Sequence, residues 1–143
     1  MIESEEIKKI LPQDYPFVMI DRVVEFKEGE SLVAVKNITA NEWPFATGKG
    51  ITIFPETLLI EAAAQAALVF YRLSQSENAS KQMFVLGQIK SEFHSLVLIG
   101  QQIRLKVTKA KMLPKSGYVE VSIFESSNSV ADTTVFYGLL NRN

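Results

Sequence analysis

The chain has 143 residues, of which 47% are apolar and 22% are charged, and these proportions are typical of one globular domain. Its 15 basic and 16 acidic residues give a net charge of −1, which argues against a general nucleic-acid-binding protein. The sequence has no cysteine and a single histidine, His94, which excludes thiolate zinc sites, cysteine nucleophiles, disulfide scaffolds and histidine-cluster metal sites. We therefore expect no metal and no cofactor.

The sequence favours neither export nor insertion into a membrane. The N-terminal residues are acidic, where a secretory signal would be basic and then apolar. The longest apolar stretch, residues 51–71, is interrupted by Glu56, Glu61 and Gln65 and falls short of a membrane span. The expectation is a cytoplasmic protein without membrane contact.

In chain order, the patterns predict a short helix, a hairpin of two strands, an irregular loop, a long helix and four further strands. The short helix is predicted over residues 4–11, the two hairpin strands over 17–27 and 32–40, the loop over 41–53 and the long helix over 55–73. The four further strands are predicted over residues 83–93, 102–112, 117–125 and 130–141. The alternation of apolar and polar residues in the 102–112 strand slips at Thr108-Lys109, which predicts a β-bulge.

The long helix is apolar nearly all round, so other structure should enclose it. A buried helix between one hairpin and four later strands predicts an α+β domain whose curved antiparallel sheet wraps around that helix. No linker, repeat or low-complexity tract interrupts the chain, so we expect one domain over residues 1–143.

Two polar residues on this helix are candidates for chemistry. Glu61 and Gln65 are four residues apart and should lie on one face, among alanines that allow close approach of a ligand or of another backbone. An unpaired carboxylate is expensive to bury, so Glu61 is either a general acid or the partner of a loop amide or a second subunit. The pattern alone leaves both interpretations open.

Five segments, in the same order and over residues 7–141, resemble the (3R)-3-hydroxyacyl-acyl-carrier-protein dehydratases of fatty-acid synthesis. They are Leu11-Pro12-x-x-Tyr15-Pro16-Phe17, Ile20-Asp21-Arg22-Val23, Lys36-Asn37-Ile38-Thr39-x-Asn41-Glu42, Pro55 with Glu61-Ala62-x-Ala64-Gln65, and Phe93 with Gly100-Gln101-Gln102. The resemblance implies a hotdog fold, an acyl carrier protein as partner, and a dimer with two acyl tunnels at its interface. It leaves a homodimer, a heterodimer with a paralogue and a higher oligomer open.

In that family a loop histidine removes the α proton, and a helix Glu or Asp of the other subunit protonates the departing hydroxyl group. By resemblance, the acid is Glu61, and Thr47, Gly48, Gly50 and Gln65 are substrate-binding residues. The histidine position is occupied by Thr47, whose hydroxyl is no base near neutral pH, and residues 1–93 contain no histidine. We therefore expect a homodimer to be weakly active or inactive as a dehydratase.

The resemblance leaves three functions open. The first is a dehydratase in which Glu61 acts with water held by Thr47 or with a histidine from a partner subunit. The second is a non-catalytic acyl-thioester-binding subunit of a heterodimeric dehydratase. The third is an acyl thioesterase in which Glu61 activates water, although no residue selects this activity.

Basic residues are concentrated in one predicted hairpin, at Arg104, Lys106, Lys109, Lys111 and Lys115. The first four are candidates for docking an acidic carrier protein. The alternative is a solvated strand face whose lysines protect an edge from aggregation. His94 has no catalytic place in the resemblance and is expected to be an ordinary strand-end histidine.

Overall fold

A computed structural model describes residues 1–45, 50, 52–75 and 82–141. It contains two helices and six strands among these residues. The elements are α1 (Ser4–Ile10), β1 (Arg22–Lys27), β2 (Ser31–Asn37), α2 (Glu56–Ser74), β3 (Gln82–Phe93), β4 (Gln102–Met112), β5 (Ser116–Glu125) and β6 (Asn128–Asn141).

The six strands form one antiparallel sheet in the order β1-β2-β4-β5-β6-β3. Helix α2 packs against five of the strands, namely β2, β4, β5, β6 and β3. The expected α+β architecture, with a sheet around one long helix, is confirmed. The 12-residue strand β3 lies at an edge of the sheet and pairs with β6.

Helix α2 is the centre of the core, as its apolar composition predicts. Leu58, Leu59 and every residue from Ala62 to Tyr71 are buried. Inward side chains of the strands cover this surface, so the helix contributes apolar residues in every direction. The predicted limits of the helix and of the last four strands agree with the observed limits within about two residues.

The first hairpin differs from its prediction at one end. Strand β1 begins at Arg22, whereas the apolar pattern predicted a strand from residue 17. Residues 17–19 leave the sheet because the backbone of Phe17 and of Met19 bonds to the side chain of Gln65 on α2. A tertiary contact therefore replaces the strand pairing that the sequence pattern favoured.

The predicted bulge in β4 is confirmed close to its expected position. Lys109 pairs with Val119 and Lys111 pairs with Tyr118, so Ala110 is the additional residue. Before the bulge, Ile103, Leu105 and Val107 face the core while Arg104 and Lys106 are exposed. The additional residue shifts the alternation of β4, and Lys109 and Lys111 at its other end are exposed as well.

None of the helices in the described part of the chain is long and apolar enough to cross a membrane.

Candidate functional site

Glu61 and Gln65 occupy neighbouring turns of α2, as their spacing predicts. Glu61 is half-buried, whereas Gln65 is only 1% exposed. Gln65 Nε2 donates a hydrogen bond to Glu61 Oε1 over 2.9 Å. Alanines 62, 63, 64 and 66 surround the pair and are buried, which lets adjacent segments approach the helix closely.

The side-chain amide of Gln65 is held in one orientation. Its Oε1 accepts a hydrogen bond from the backbone N–H of Met19 at 2.7 Å, and its Nε2 also donates to the carbonyl oxygen of Phe17 at 2.5 Å. Because the donor side of the amide must face Phe17 and Glu61, the carboxyl oxygen Oε1 of Glu61 is fixed as an acceptor. Gln65 thus connects the N-terminal segment to the candidate acid.

Gln13 also contacts the candidate acid. Its Nε2 lies 3.4 Å from Glu61 Oε1, and its own Oε1 is buried with no hydrogen-bond partner among the described residues. The side-chain amides of Gln13 and Gln65 therefore contact the same carboxyl oxygen of Glu61, Oε1.

The loop before α2 contributes less to the described structure. Thr47 and Gly48, two of the predicted substrate-binding residues, lie outside the described residues. Gly50 is described and has a φ of 69°, a conformation that favours glycine. Its role in binding, like the roles of Thr47, Gly48, Glu61 and Gln65, stays a prediction.

The single histidine is at the end of β3. His94 Nε2 lies 3.0 Å from Asp132 Oδ2, and the two side chains are 33% and 61% exposed. This position agrees with the expected strand-end histidine. In the part of the chain that the structure describes, no three His, Cys, Asp or Glu residues are arranged to hold a metal ion.

A cavity of about 250 Å³ lies between α1, residues 14–19, residues 39–44 and the start of α2. Its apolar lining includes Tyr15, Val18, Met19, Trp43, Phe54 and Leu58. Sequence reasoning did not identify this cavity. The sequence signals for it were two segments of the family resemblance without an assigned role, one with Tyr15 and Pro16 and one with Thr39, Asn41 and Glu42.

The candidate docking residues lie together on or next to β4. Arg104, Lys106, Lys109 and Lys111 are all exposed, and no described carboxylate forms an ion pair with any of them. On the same face of the sheet, Lys106 pairs with Ser122 of β5, which in turn pairs with Asp132 of β6. Exposed Glu120 of β5 pairs with Thr108 of β4, so an acidic residue also lies beside the basic strand on this face.

Comparisons with solved structures agree with this architecture. The chain superimposes on a dehydratase heterocomplex, ApeI:P, from Xenorhabdus doucetiae with a TM-score of 0.74 and 16% identity, covering 96% of this chain and 91% of the other. It superimposes on a mutant thioesterase from Pseudomonas aeruginosa with a TM-score of 0.76 and 9% identity, covering 96% and 94%. Another similar structure, from Thermanaerovibrio acidaminovorans, is a hot-dog-like protein, with a TM-score of 0.65 and 13% identity over 81% of this chain and 84% of the other. The hotdog fold is thereby shown.

Sequence comparisons identify the family. The chain is 37% identical over 125 residues to the 3-hydroxyacyl-[acyl-carrier-protein] dehydratase FabZ of Koribacter versatilis, covering 81% of this chain and 80% of the relative. It is 41% identical over 113 residues to FabZ of Haemophilus influenzae, covering 78% and 76%. It is 30% identical over 141 residues to FabZ of Pelotomaculum thermopropionicum, covering 97% and 99%. A profile of the FabA-like domain matches residues 11–138, and the chain therefore belongs to the family of FabA-like domains.

Proposed function

We propose that this protein binds 3-hydroxyacyl thioesters carried by an acyl carrier protein and that Glu61 is the acid of a dehydratase site. The observation that carries the proposal is the half-buried Glu61 carboxyl group, held on α2 by Gln65 in a chain of this family. In a dehydration, Glu61 would give its proton to the departing hydroxyl oxygen. A base must remove the proton from the neighbouring carbon, and its electron pair forms the new double bond.

In this proposal the chain has no general base at the position where the family has its loop histidine. Thr47 occupies the position of the family's histidine, and the first histidine of the chain is His94. General-base catalysis contributes roughly 10²–10⁴ in rate, so its loss leaves a homodimer weakly active or inactive. In this proposal the chain retains the acid and the acyl-thioester site.

A heterodimer is the second arrangement that an observation favours. Among the described residues β3 has a strand neighbour on one side only, and its Met83 and Leu86 are 44% and 48% exposed, so a second subunit could extend the sheet there. The ApeI:P heterocomplex illustrates that a dehydratase assembly of unlike chains is compatible with this fold. A paralogue with a loop histidine would complete the site, because in the family the two residues come from different subunits. A cytoplasmic location is part of the same proposal.

The test compares the wild-type protein, Thr47→His and Thr47→His with Glu61→Ala. Each purified protein is incubated with a 3-hydroxyacyl-carrier-protein, and the enoyl product is measured. We expect Thr47→His to exceed the wild type by roughly 10²-fold, and the added Glu61→Ala substitution to remove that gain. Release of free acid from the thioester is measured in the same samples, which separates thioesterase activity from dehydration.

Two results would contradict the proposal. Rapid dehydration by the wild-type homodimer, lost in Glu61→Ala alone, would show that the missing histidine does not limit it. A correctly folded Thr47→His variant without activity would show that the loss of one base is not what prevents turnover. Binding of the acyl-carrier-protein by the wild type is the control for an intact site.

A further inference from the structure

Strand β2 buries a lysine side chain in the apolar interior. Lys36 is 2% exposed, and its register partner on β4 is Ile103, a fully buried core residue. Its Nζ lies 5.5 Å from the centroid of the Phe54 ring, and Phe54 is 1% exposed. An ammonium group in such surroundings is strongly unfavourable unless a carboxylate compensates its charge.

Glu42 provides that carboxylate. Lys36 Nζ donates a hydrogen bond to Glu42 Oε1, and the two side chains are 3% and 21% exposed. Among the residues that the structure describes, no other carboxylate lies within ion-pair distance of Lys36. The other oxygen, Glu42 Oε2, accepts the backbone N–H of Thr39 at 3.2 Å. Glu42 thus closes the turn after β2 and attaches it to the interior of the sheet.

The turn continues into residues 39–45, which contact the candidate site through Trp43. The ring centroids of Trp43 and Phe17 are 5.9 Å apart. The carbonyl oxygen of Phe17 accepts a hydrogen bond from Gln65, which also donates to Glu61. The position of the 39–45 segment is therefore linked to the side chains of the candidate acid and its amide partner.

The same segment also contacts the residues that precede α2. The backbone N–H of Phe45 donates to the carbonyl oxygen of Glu42 at 3.0 Å. The ring centroids of Phe45 and Phe54 are 6.3 Å apart, and α2 begins two residues after Phe54, at Glu56. Glu42 therefore lies between the two contacts that hold the 39–45 segment against the candidate site.

The net stability of such a pair does not account for its presence. Removing two charges from water is unfavourable, and apolar side chains of similar size in place of a buried ion pair are often neutral or stabilising. A buried pair does define one geometry, because separating Lys36 from Glu42 would leave a buried cation without its counter-charge. The contacts of Glu42 pass that geometry on to residues 39–45.

We propose that the Lys36–Glu42 pair positions the 39–45 segment beside Glu61 and Gln65, and that it contributes to substrate binding and not to stability. Lys36 and Glu42 are then positioning residues, which act through Trp43. The proposal rests on the function proposed above and names further residues on which that site depends. Small displacements of groups that orient a substrate weaken its productive binding, which is a reason to retain a pair of little net stability.

The test removes both charges and keeps the turn closed. In Lys36→Met with Glu42→Gln, the glutamine side-chain oxygen can still accept the Thr39 N–H. Chemical denaturation, acrylamide quenching of Trp43, which is the only tryptophan, and calorimetric binding of a 3-hydroxyacyl-carrier-protein are measured. We expect an unfolding midpoint at or above that of the wild type, a larger Trp43 quenching constant and roughly tenfold weaker binding.

An exposed ion pair provides the matched control. Arg22→Met with Glu3→Gln removes a pair whose side chains are 47% and 56% exposed, and it should change none of the three measurements. Single substitutions test the burial of the charges. Glu42→Gln alone leaves Lys36 buried without a counter-charge and should lower the unfolding midpoint more than Lys36→Met alone, because Glu42 is nearer to water.

The outcomes separate this inference from the proposed function. A Trp43 quenching constant or a thioester affinity in the double variant equal to that of the wild type would overturn the inference. A double variant that is less stable than the wild type, or that does not fold, would also overturn it, because the pair would then be a stabilising contact. A wild type that binds no carrier-bound thioester would instead contradict the proposed function, and the quenching constants would still decide whether the pair positions the segment.

Discussion

Gln65 is the residue on which the candidate site depends most. It is a buried amide that satisfies Met19 N–H, the Phe17 carbonyl and Glu61 Oε1 at once. Its four-residue spacing from Glu61 was visible in the sequence, whereas its contacts to residues 17 and 19 were not.

Replacing Gln65 by leucine should destabilise the fold by about 2–4 kcal/mol, because a backbone donor and a backbone acceptor lose their partner in a buried position. Chemical denaturation of the purified variant measures this difference. Gln88→Leu is the matched control, since Gln88 is exposed on β3 and should change stability by less than about 0.5 kcal/mol. Equal stabilities of the two variants would mean that the Gln65 contacts contribute nothing net.

Tyr137 is buried like Gln65, but its polar atom is not satisfied. Its hydroxyl has no hydrogen-bond partner among the described residues, whereas the neighbouring Tyr71 hydroxyl donates to Gln82 Oε1 over 3.1 Å. Burial, with a smaller contribution from Tyr71, raises the pKa of Tyr137 from 10.0 to about 12. The folded protein therefore favours the neutral phenol.

Tyr137→Phe should leave stability at neutral pH unchanged or raise it by up to about 1 kcal/mol, while Tyr71→Phe should lower it by about 1 kcal/mol. The unfolded phenol ionises near pH 10 and the folded one near pH 12, so the wild type loses stability as the pH rises through this interval. Denaturation curves from pH 8 to 12 should show a shallower loss for Tyr137→Phe. A variant as pH-sensitive as the wild type would contradict the burial effect.

Among the secondary-structure elements, β3 is a long strand at an edge of the sheet. Its register with β6 extends from Gln82 to Phe93, while its other side has no strand neighbour among the described residues. A long edge strand with exposed apolar side chains is a site for pairing with another chain. We expect a second subunit to pair there.

A charge on this edge should weaken the association of subunits. Leu86→Lys places a cation on β3 where the side chain is 48% exposed, and a partner strand would have to desolvate it. Sedimentation velocity should show a shift toward monomer. Leu113→Lys, 49% exposed at the end of β4, is the matched control and should keep the wild-type association. If Leu86→Lys associates like the wild type, the subunits do not meet at this edge.

The bulge in β4 shows how far an element can be predicted from its own residues. The apolar alternation around Thr108 indicated a slip, and the structure has its additional residue at Ala110, since alternation directly reflects which side chains face the core. The same reasoning extended the first strand too far, because the pattern at residues 17–20 is apolar for a different reason. Met19 and Ile20 bury their side chains in the core, and the backbone of Phe17 and of Met19 bonds to Gln65 instead of to a strand.

For the whole molecule, the charge distribution matters more than the net charge of −1. In this slightly acidic chain, β4 carries four exposed cations, Arg104, Lys106, Lys109 and Lys111, on its surface. An acidic carrier protein would be attracted to that surface, and salt would screen the attraction.

The double substitution Lys106→Glu with Lys109→Glu should weaken acyl-carrier-protein binding roughly tenfold at low salt, and the difference should diminish as ionic strength rises. Calorimetry at several salt concentrations measures both effects. Lys8→Glu with Lys9→Glu is the control, because it changes the net charge equally at exposed sites on α1, outside the sheet. Equal weakening in both variants would indicate a general charge effect and contradict docking at β4.

The sequence by itself determined the order and type of nearly all elements and the shared face of Glu61 and Gln65. These features follow from periodicity within a few residues, which local backbone geometry translates directly into structure. Only the tertiary structure decided which groups complete the site. Gln65 meets Met19 across 46 positions of the chain, Gln13 meets Glu61 across 48, and the cavity brings together four separate segments. Such contacts depend on how the segments pack around α2, and no local pattern records them.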